Sequence, residues 1–290
     1  MIERYLVRYF LAVVDQGNFS RAAAHCNVSQ PTLSVGIAKL ERALERPLFE
    51  RSNQRVQLTE AGSLFLAHAR RIEREFNAVL SAIADTEHKQ GLRVGVLTSV
   101  PGAAVSTACH AARDALPGPV EVVFAGEREL LGMLERDRLD VALTIMRPTN
   151  HHFTQRMILD EGYMLVLPLD HPLADRTAID AADLRDAPMI VRRHCEMLSQ
   201  TSRFFVARGV RPHFSLRTTN DERALQMVAA GMGVTVMPES YRCAQVRHVP
   251  LQGFDHRRTL GFYMADPQHR THPLVQAVED VLGNGAFTPA

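Results

Sequence analysis

The chain has 290 residues, 46% of them hydrophobic, and its formal net charge at pH 7 is +1. This length allows two or three compact domains, and the hydrophobic content excludes wholesale disorder. The near-zero charge excludes a uniformly basic coat for nucleic acid, so any contact with phosphates must use a local patch.

The four cysteines form no C-x-x-C pair, which argues against a zinc site and against a disulfide scaffold. The sequence has no charged and then apolar leader and no apolar run of 18 or more residues. We therefore expect a soluble, cytoplasmic protein with no cofactor and no membrane partner.

The segment from Asn18 to Glu41 predicts a helix-turn-helix. After a break at NVSQPT, apolar residues recur at steps of four, three and four, which is one face of an amphipathic helix. Ser29 is its candidate N-cap, and Pro31 is tolerated because the first turn needs no N–H from it. Before the break, small apolar residues outline a short helix with Asn18 or Ser20 near its cap. The spacing alone also fits an ordinary helical hairpin.

A helix-turn-helix places the first residues of its second helix against base edges in the major groove. There Gln can bond adenine through two hydrogen bonds, and Ser or Thr can serve several bases. The residues predicted to contact DNA from this helix and its cap are Ser29, Gln30, Pro31, Thr32, Ser34, Val35 and Lys39.

Two β-prone pieces, PLFER and RVQLT, flank the turn-prone SNQ and predict a hairpin wing. Arg51, Asn53 and Arg55 near its tip suit contact with phosphates or the minor groove. The alternative is a solvated turn with ordinary surface arginines.

A long helix is predicted after the wing, with Thr59 as its candidate cap and an apolar stripe running from Ala61 to Ile83. A second copy of the chain is the simplest partner for that stripe. These patterns predict a DNA-binding domain at residues 1–60 and a linker and dimerisation helix at residues 61–90.

From Leu92 onward, strands and helices alternate, which is typical of a parallel doubly wound sheet. A second such run follows, so we expect an effector-binding domain at residues 91–290 made of two α/β lobes. Lobe I is expected at residues 91–160 and 266–290, and lobe II at residues 161–265.

Ligands of open α/β sheets bind beyond the carboxyl ends of the strands, and the segment after the first strand leads into a helix N-terminus suited to an anion. The cleft between the two lobes is the natural pocket, and arginines near it likewise indicate an anionic small molecule. The predicted effector-binding residues are Thr98, Ser99, Val100, Gly126, Met146, Arg147, Arg192, His194, Cys195 and Thr219. The motifs G-x-x-x-x-G-K-[ST], G-x-S-x-G and H-E-x-x-H are absent from the sequence, so no enzyme activity is predicted.

A pattern over about sixty residues extends these local predictions. It is carried by Phe10, Phe19, Ser20, Ala22, Ala23, Val28, Ser29, Gln30, Pro31, Leu33, Ser34, Ile37, Leu40, Glu41, Leu48, Phe49, Arg51, Leu58, Thr59, Ala61 and Gly62. It resembles the LysR-type transcriptional regulators, and LDVALT, DHPLA and VAAGMGVTVMPES further along resemble the same family.

The resemblance covers essentially the whole chain. It implies an α + α/β fold: a winged helix-turn-helix, a dimerising linker helix and a two-lobed effector domain of periplasmic-binding-protein type. It implies a sequence-specific regulator that binds double-stranded promoter DNA as a homodimer or homotetramer and responds to a small-molecule effector. RNA polymerase is a further candidate partner. The other class considered is a solute-binding module whose helical N-terminal part only mediates oligomerisation.

Within the resemblance, Gln30, Pro31, Thr32 and Ser34 match the start of the recognition helix, and Arg51 matches the wing arginine. The chain departs from the family at the next two positions of the recognition helix. Many members have a polar residue where this chain has Val35 and a glutamine where it has Gly36, so one customary DNA contact is expected to be missing.

A narrower resemblance concerns RRHCEMLSQTSRFFVARG, which is similar to the region around the reactive cysteine of the family's peroxide sensor. His194 and Cys195 match the sensor's His-Cys pair, and Phe204 stands where its second cysteine would be. Ser99 lies near the sensor's pocket hydroxyl, and Arg257 or Arg258 near its pocket arginine. Two interpretations follow: redox sensing through Cys195 alone, or Cys195 as a small pocket-lining residue.

Overall fold

A computed structural model of the chain describes residues 2–50, 56–84, 91–148 and 153–283. The chain forms two compact units, Met1–His88 and Lys89–Ala290. Among the described residues, no helix is both long enough and apolar enough to cross a bilayer.

The first unit is helical. Its helices are α1 (Arg4–Gln16), α2 (Phe19–His25), α3 (Gln30–Leu44) and α4 (Glu60–Ala84). Asn18 caps α2 by accepting hydrogen bonds from the backbone N–H groups of Ser20 and Arg21, at 2.8 and 3.1 Å. Ser29 Oγ caps α3 by accepting from Thr32 N at 3.2 Å. Both caps were predicted, and they fix where the two helices of the motif begin.

The apolar face of α3 packs into the core of the first unit, where Leu33, Ile37 and Leu40 are buried against α1. The segment after α3 pairs with the segment before α4 through one antiparallel bridge, between Phe49 and Leu58. The bridge joins the two pieces, PLFER and RVQLT, that the sequence predicted as the strands of the wing. The predicted tip residues Arg51, Asn53 and Arg55 lie outside the described residues.

Helix α4 begins where the sequence predicted, because Thr59 Oγ1 accepts a hydrogen bond from Gly62 N at 3.0 Å. Part of its apolar stripe, including Ala61 and Phe65, packs in the core of the first unit, but Leu64, Phe76 and Val79 are 68%, 46% and 54% exposed. Such a stripe on a long helix leaves a large apolar surface in need of a partner. The predicted stripe positions Leu80 and Ile83 have no described side chains.

The second unit contains nine strands and five α-helices among the described residues. The strands are β1 (Leu92–Leu97), β2 (Val120–Ala125), β3 (Val141–Ile145), β4 (Thr154–Pro168), β5 (Pro188–Arg192), β6 (His213–Thr218), β7 (Thr235–Pro238), β8 (Val246–Val249) and β9 (Arg257–Met264). The helices are α5 (Gly102–Ala112), α6 (Glu127–Glu135), α7 (Leu198–Ala207), α8 (Asp221–Ala229) and α9 (Pro273–Gly283).

The main sheet has the order β2-β1-β3-β9-β4-β7, and β8 also pairs with β4. Strands β1, β2 and β3 are parallel, as expected, but β9 runs antiparallel to both β3 and β4. The predicted two-lobed α/β fold is confirmed, but its main sheet is mixed, whereas the sequence indicated a parallel one. The reason is that β4 and β9 are long strands that cross between the lobes and run in opposite directions.

The hydrophobic residues of the second unit form two main cores. That of lobe I includes Val96, Leu130, Leu143, Phe262 and Val278. That of lobe II includes Leu165, Leu184, Phe205, Val236 and Leu251. Residues 260–264, which we expected in lobe II, pack in the core of lobe I because β9 pairs with β3 there. The other lobe and domain boundaries stay predictions.

Candidate DNA interface and effector site

The N-terminal end of α3 presents a polar surface. Gln30, Pro31 and Thr32 are exposed, and Ser34 is half-buried. Gln30 Nε2 donates to Ser34 Oγ at 2.8 Å, while the hydroxyls of Ser29 and Thr32 are 2.7 Å apart. These contacts order the side chains without burying them, so their remaining donors and acceptors face solvent.

The two positions that depart from the family pattern lie on different faces of α3. Val35 is 65% exposed and offers a methyl surface about one helical turn after Thr32. Gly36 is buried, and a β-carbon there would lie 2.6 Å from Tyr9 Cδ2. The glycine therefore lets α1 and α3 approach more closely than a glutamine would.

Lys39 lies further along α3 and is engaged within the chain. Its Nζ lies 2.6 Å from Glu3 Oε1 and 3.1 Å from the hydroxyl of Tyr5. Because the pair is exposed, it is weak and breaks readily. Lys39 can bind a phosphate only after its contacts with Glu3 and Tyr5 have broken.

In the second unit, Arg258 is the centre of a buried charged cluster. Its Nη1 lies 2.8 Å from Ser99 Oγ and 2.6 Å from Glu196 Oε1, and its Nε lies 2.8 Å from Glu161 Oε1. Tyr163 donates its hydroxyl proton to Glu196 Oε1 at 2.6 Å. Arg257, the other candidate from the sequence, is exposed and pairs with Asp160, so Arg258 is the arginine that faces Ser99.

The other two arginines predicted near the cleft also hold carboxylates of the chain. Arg147 binds Glu127 through two hydrogen bonds of 2.8 and 2.9 Å. Arg192 is buried and binds Asp221, with its Nε 2.8 Å from Asp221 Oδ1. The positive charges that indicated an anionic effector are thus each neutralised by an internal partner.

Lobe II contains an apolar cavity of about 390 Å³. It lies between β5, α7 and the segment before β6, and Cys195, Arg192, Phe205 and Val236 line it. Burial raises the pKa of the Cys195 thiol, although nearby Arg192 acts in the opposite direction. Cys195 Sγ accepts a hydrogen bond from Met197 N at 3.3 Å. This thiol is mostly protonated near neutral pH, which suits a lining residue better than a nucleophile.

The remaining predicted effector residues do not converge on this cavity. His194 and Thr219 are exposed, whereas Val100 and Met146 pack with the core of lobe I. Thr98 bonds through its backbone N–H to Ala125 O, and Gly126 precedes α6 as its N-cap. The predicted residues brought together are Arg192 and Cys195 at the cavity, and Ser99 at Arg258.

Glu161, Glu196 and Tyr163 are site residues that the sequence reasoning missed. Glu196 directly follows Cys195. Its position could have drawn attention to it, but the sequence gives no sign that its carboxylate is buried against Arg258.

Comparison with known proteins agrees with this architecture. The family model described as "Bacterial regulatory helix-turn-helix protein, lysR family" matches residues 5–63, and "LysR substrate binding domain" matches residues 86–286. A probable hydrogen peroxide-inducible genes activator of Mycobacterium avium is 33% identical over 240 residues, which cover 81% of this chain and 77% of that protein.

Two further comparisons point the same way. The DNA-binding transcriptional dual regulator OxyR of Escherichia coli K12 is 30% identical, over 80% of this chain and 77% of that protein. The solved structure of full-length OxyR from Pseudomonas aeruginosa, in a cysteine-to-aspartate variant, shares the fold with a TM-score of 0.56. That match has 24% identity and covers 97% of this chain and 95% of the other. The chain belongs to the LysR family of bacterial transcriptional regulators.

Proposed function

We propose that the first unit recognises promoter DNA with the N-terminal end of α3. The observation that carries this proposal is that Gln30, Thr32 and Val35 are all exposed in the first turns of a helix whose apolar face is fixed in the core. In the major groove, Gln30 would bond an adenine edge, and a methyl of Val35 would contact a thymine methyl.

Gln30→Ala tests base recognition. Losing a bidentate base contact should weaken binding to the cognate site by about 1–3 kcal/mol and leave binding to random DNA almost unchanged. Gln226→Ala, an exposed glutamine on α8, is the matched control. Equal losses on cognate and random DNA would contradict the assignment.

We propose that Arg51 and Arg55, with Asn53 between them, contact phosphates from the wing. Each arginine removed should lower the slope of log affinity against log salt by about one, across all DNA sequences. A change in sequence preference without a change in slope would contradict a phosphate role.

We propose that the exposed stripe of α4 pairs with a second copy of the chain, giving a homodimer or a homotetramer. Val79→Glu places a charge on the stripe and should weaken association in sedimentation experiments. Glu75→Gln, at an exposed position of the same helix, should leave association unchanged. A dimer should bind two half-sites about one helical turn apart, or a multiple of it.

For the effector, we propose an apolar-bodied small molecule that enters the lobe II cavity and contacts Arg192 and Cys195 at its inner end. The cavity volume lies in the range of small-molecule sites, and its walls are largely apolar. Ser202→Phe would fill the cavity from α7. Compounds that raise the melting temperature of the wild-type protein should lose that effect in this variant.

A thiol-based response through Cys195 is the second candidate, favoured by the similarity to hydrogen peroxide-inducible activators. Phe204, buried on α7, prevents a disulfide at that position, so oxidation would stop at a sulfenic acid or a mixed disulfide. The test is intact mass and promoter binding, with and without mild peroxide, for the wild type and Cys195→Ser. Identical behaviour of the two proteins would exclude redox sensing through this residue.

We further propose that the chain works in the cytoplasm and acts by binding alone, without turnover of its effector. Recovery of the effector chemically unchanged after prolonged incubation is the expected result.

A further inference from the structure

The carboxylate of Glu196 occupies a built pocket. It lies 2.6 Å from Arg258 Nη1 and 2.6 Å from the Tyr163 hydroxyl, and its side chain is 11% exposed. Burial opposes its ionisation, but Arg258 and the Tyr163 hydrogen bond overcome that effect and lower the pKa of Glu196. Glu196 is therefore an ionised carboxylate, almost removed from water.

This pocket lies between the lobes. Ser99, which shares Arg258 with Glu196, follows β1 among residues of the lobe I core. Glu196 lies between Cys195 and Met197, which pack with the core of lobe II. Arg258 itself is on β9, one of the two strands that connect the lobes. One guanidinium therefore holds a lobe I hydroxyl and a lobe II carboxylate together.

A second carboxylate of lobe II makes a similar contact. Glu222, on α8, accepts a hydrogen bond from Gly102 N at 2.8 Å, at the first residue of the 11-residue helix α5. This is the helix N-terminus that the sequence predicted would attract an anion. The chain's own carboxylates, Glu196 at Arg258 and Glu222 at the N-terminus of α5, thus occupy both places where an external anion would bind.

We propose that the interlobe pocket around Arg258 is a monocarboxylate-binding site that is occupied in this protein by its own Glu196. The inference rests on the proposed function and deepens it, since it identifies a contact that holds the two lobes of the effector domain together. Arg258 carries one positive charge against the two negative charges of Glu161 and Glu196. An external carboxylate therefore has to displace Glu196, against the high effective concentration of a tethered group.

Displacement of Glu196 has a defined structural consequence. Glu196 would leave Arg258 and Tyr163, and its chain neighbour Cys195 would move with it at the wall of the lobe II cavity. The interlobe contact and the cavity are therefore coupled through two adjacent residues. A ligand in the lobe II cavity that displaces Cys195 would also displace Glu196 and weaken its contact with Arg258.

Chemical rescue tests the proposal in the full-length protein. Glu196→Ala removes the methylene and carboxylate that acetate would replace, so acetate should fit the vacated pocket. We expect the melting temperature to fall by about 5 °C in chloride, because Arg258 Nη1 and the Tyr163 hydroxyl lose a buried acceptor while Glu161 still balances the charge of Arg258. Acetate at matched ionic strength should restore part of this loss, while the wild type should respond equally to both salts.

Glu196→Gln is the matched control, because it removes the charge but keeps the volume. Acetate should stabilise it no more than chloride does, because its side chain still fills the pocket. If Glu196→Ala is unfolded in chloride, acetate should recover its folded circular dichroism spectrum.

Equal effects of acetate and chloride on Glu196→Ala would overturn the proposal, as would an equal restoration of Glu196→Ala and Glu196→Gln by acetate. These measurements do not involve DNA or effector. Their failure would therefore leave the proposed regulatory function untouched, and failure of that function would leave them valid.

Discussion

The ring of Tyr9 occupies the space that a side chain at position 36 would need, since a β-carbon on Gly36 would lie 2.6 Å from Tyr9 Cδ2. Gly36→Ala should therefore destabilise the first unit, although alanine is about 1 kcal/mol better than glycine inside a helix. Urea unfolding measures the change. In a Tyr9→Ala background the same substitution should become stabilising, and a gain in both backgrounds would contradict the steric explanation.

The buried pair of Arg192 and Asp221 ties β5 to the start of α8. Asp221→Ala leaves the guanidinium buried without its counter-charge and should cost about 3–5 kcal/mol of unfolding free energy. Replacing both residues with apolar side chains should recover much of that loss. Unfolding of Asp221→Ala at the same urea concentration as the wild type would contradict this prediction.

The Cys195 thiol should react slowly with iodoacetamide. Burial raises its pKa, so the reactive thiolate is scarce near neutral pH, and the labelling rate should keep rising with pH beyond the range of an ordinary thiol. Arg192→Met removes a nearby positive charge and should slow labelling further at a given pH. Peptide mass spectrometry follows the site, and rapid labelling of Cys195 at neutral pH would favour a redox role.

Stability of the second unit should fall as the solution becomes mildly acidic. Burial lowers the pKa of His248, whose Nε2 lies 2.5 Å from Tyr241 O, and burial also lowers the pKa of His171 and His272. Each histidine therefore binds a proton more readily when unfolded. Stability is complete above the unfolded pKa of about 6.5 and declines as the pH falls through it.

Urea unfolding at about pH 7.5 and about pH 5.5 measures this decline, in a window that lies above most carboxylate titrations. His248→Gln keeps an N–H donor near Tyr241 O but cannot titrate. It should lose less stability between the two pH values than the wild type, and an equal loss would assign the effect to other groups.

Local patterns predicted the first unit well. The helix spacing of α3 and the caps at Asn18, Ser29 and Thr59 depend on neighbouring residues, and the structure confirms them. Strand β1 also begins at Leu92, where the sequence indicated that the alternation of strands and helices starts.

Elements that depend on distant partners were missed. The first half of β4, from Thr154 to Glu161, is largely polar, and it forms a strand because it pairs with β9 about a hundred residues away. Helix α7 has only Phe204 and Phe205 buried, so its periodicity is weak. Strand β8 has four residues and pairs with the end of β4.

The residues of the candidate site likewise include some that local patterns predicted and others that depend on distant partners. Sequence patterns identified Ser99, Arg192 and Cys195, and the choice between Arg257 and Arg258 needed the structure. The sequence could not reveal that Arg258 already holds Glu161 and Glu196, because these pairs join residues 97 and 62 positions apart. A sequence shows which residues carry charge, but only the fold determines which opposite charges they contact.

Strands β4 and β9 are paired from Thr154 and Met264 at one end to Gly162 and Arg257 at the other, and this ribbon runs from one core to the other. Between Leu260, where β9 leaves β3, and Tyr163, where β4 meets β7, the two strands pair only with each other among the described strands, and a two-stranded ribbon twists more strongly than a wider sheet. Any change in the relative orientation of the lobes is therefore expected at this short link, whose hydrogen bonds resist stretching.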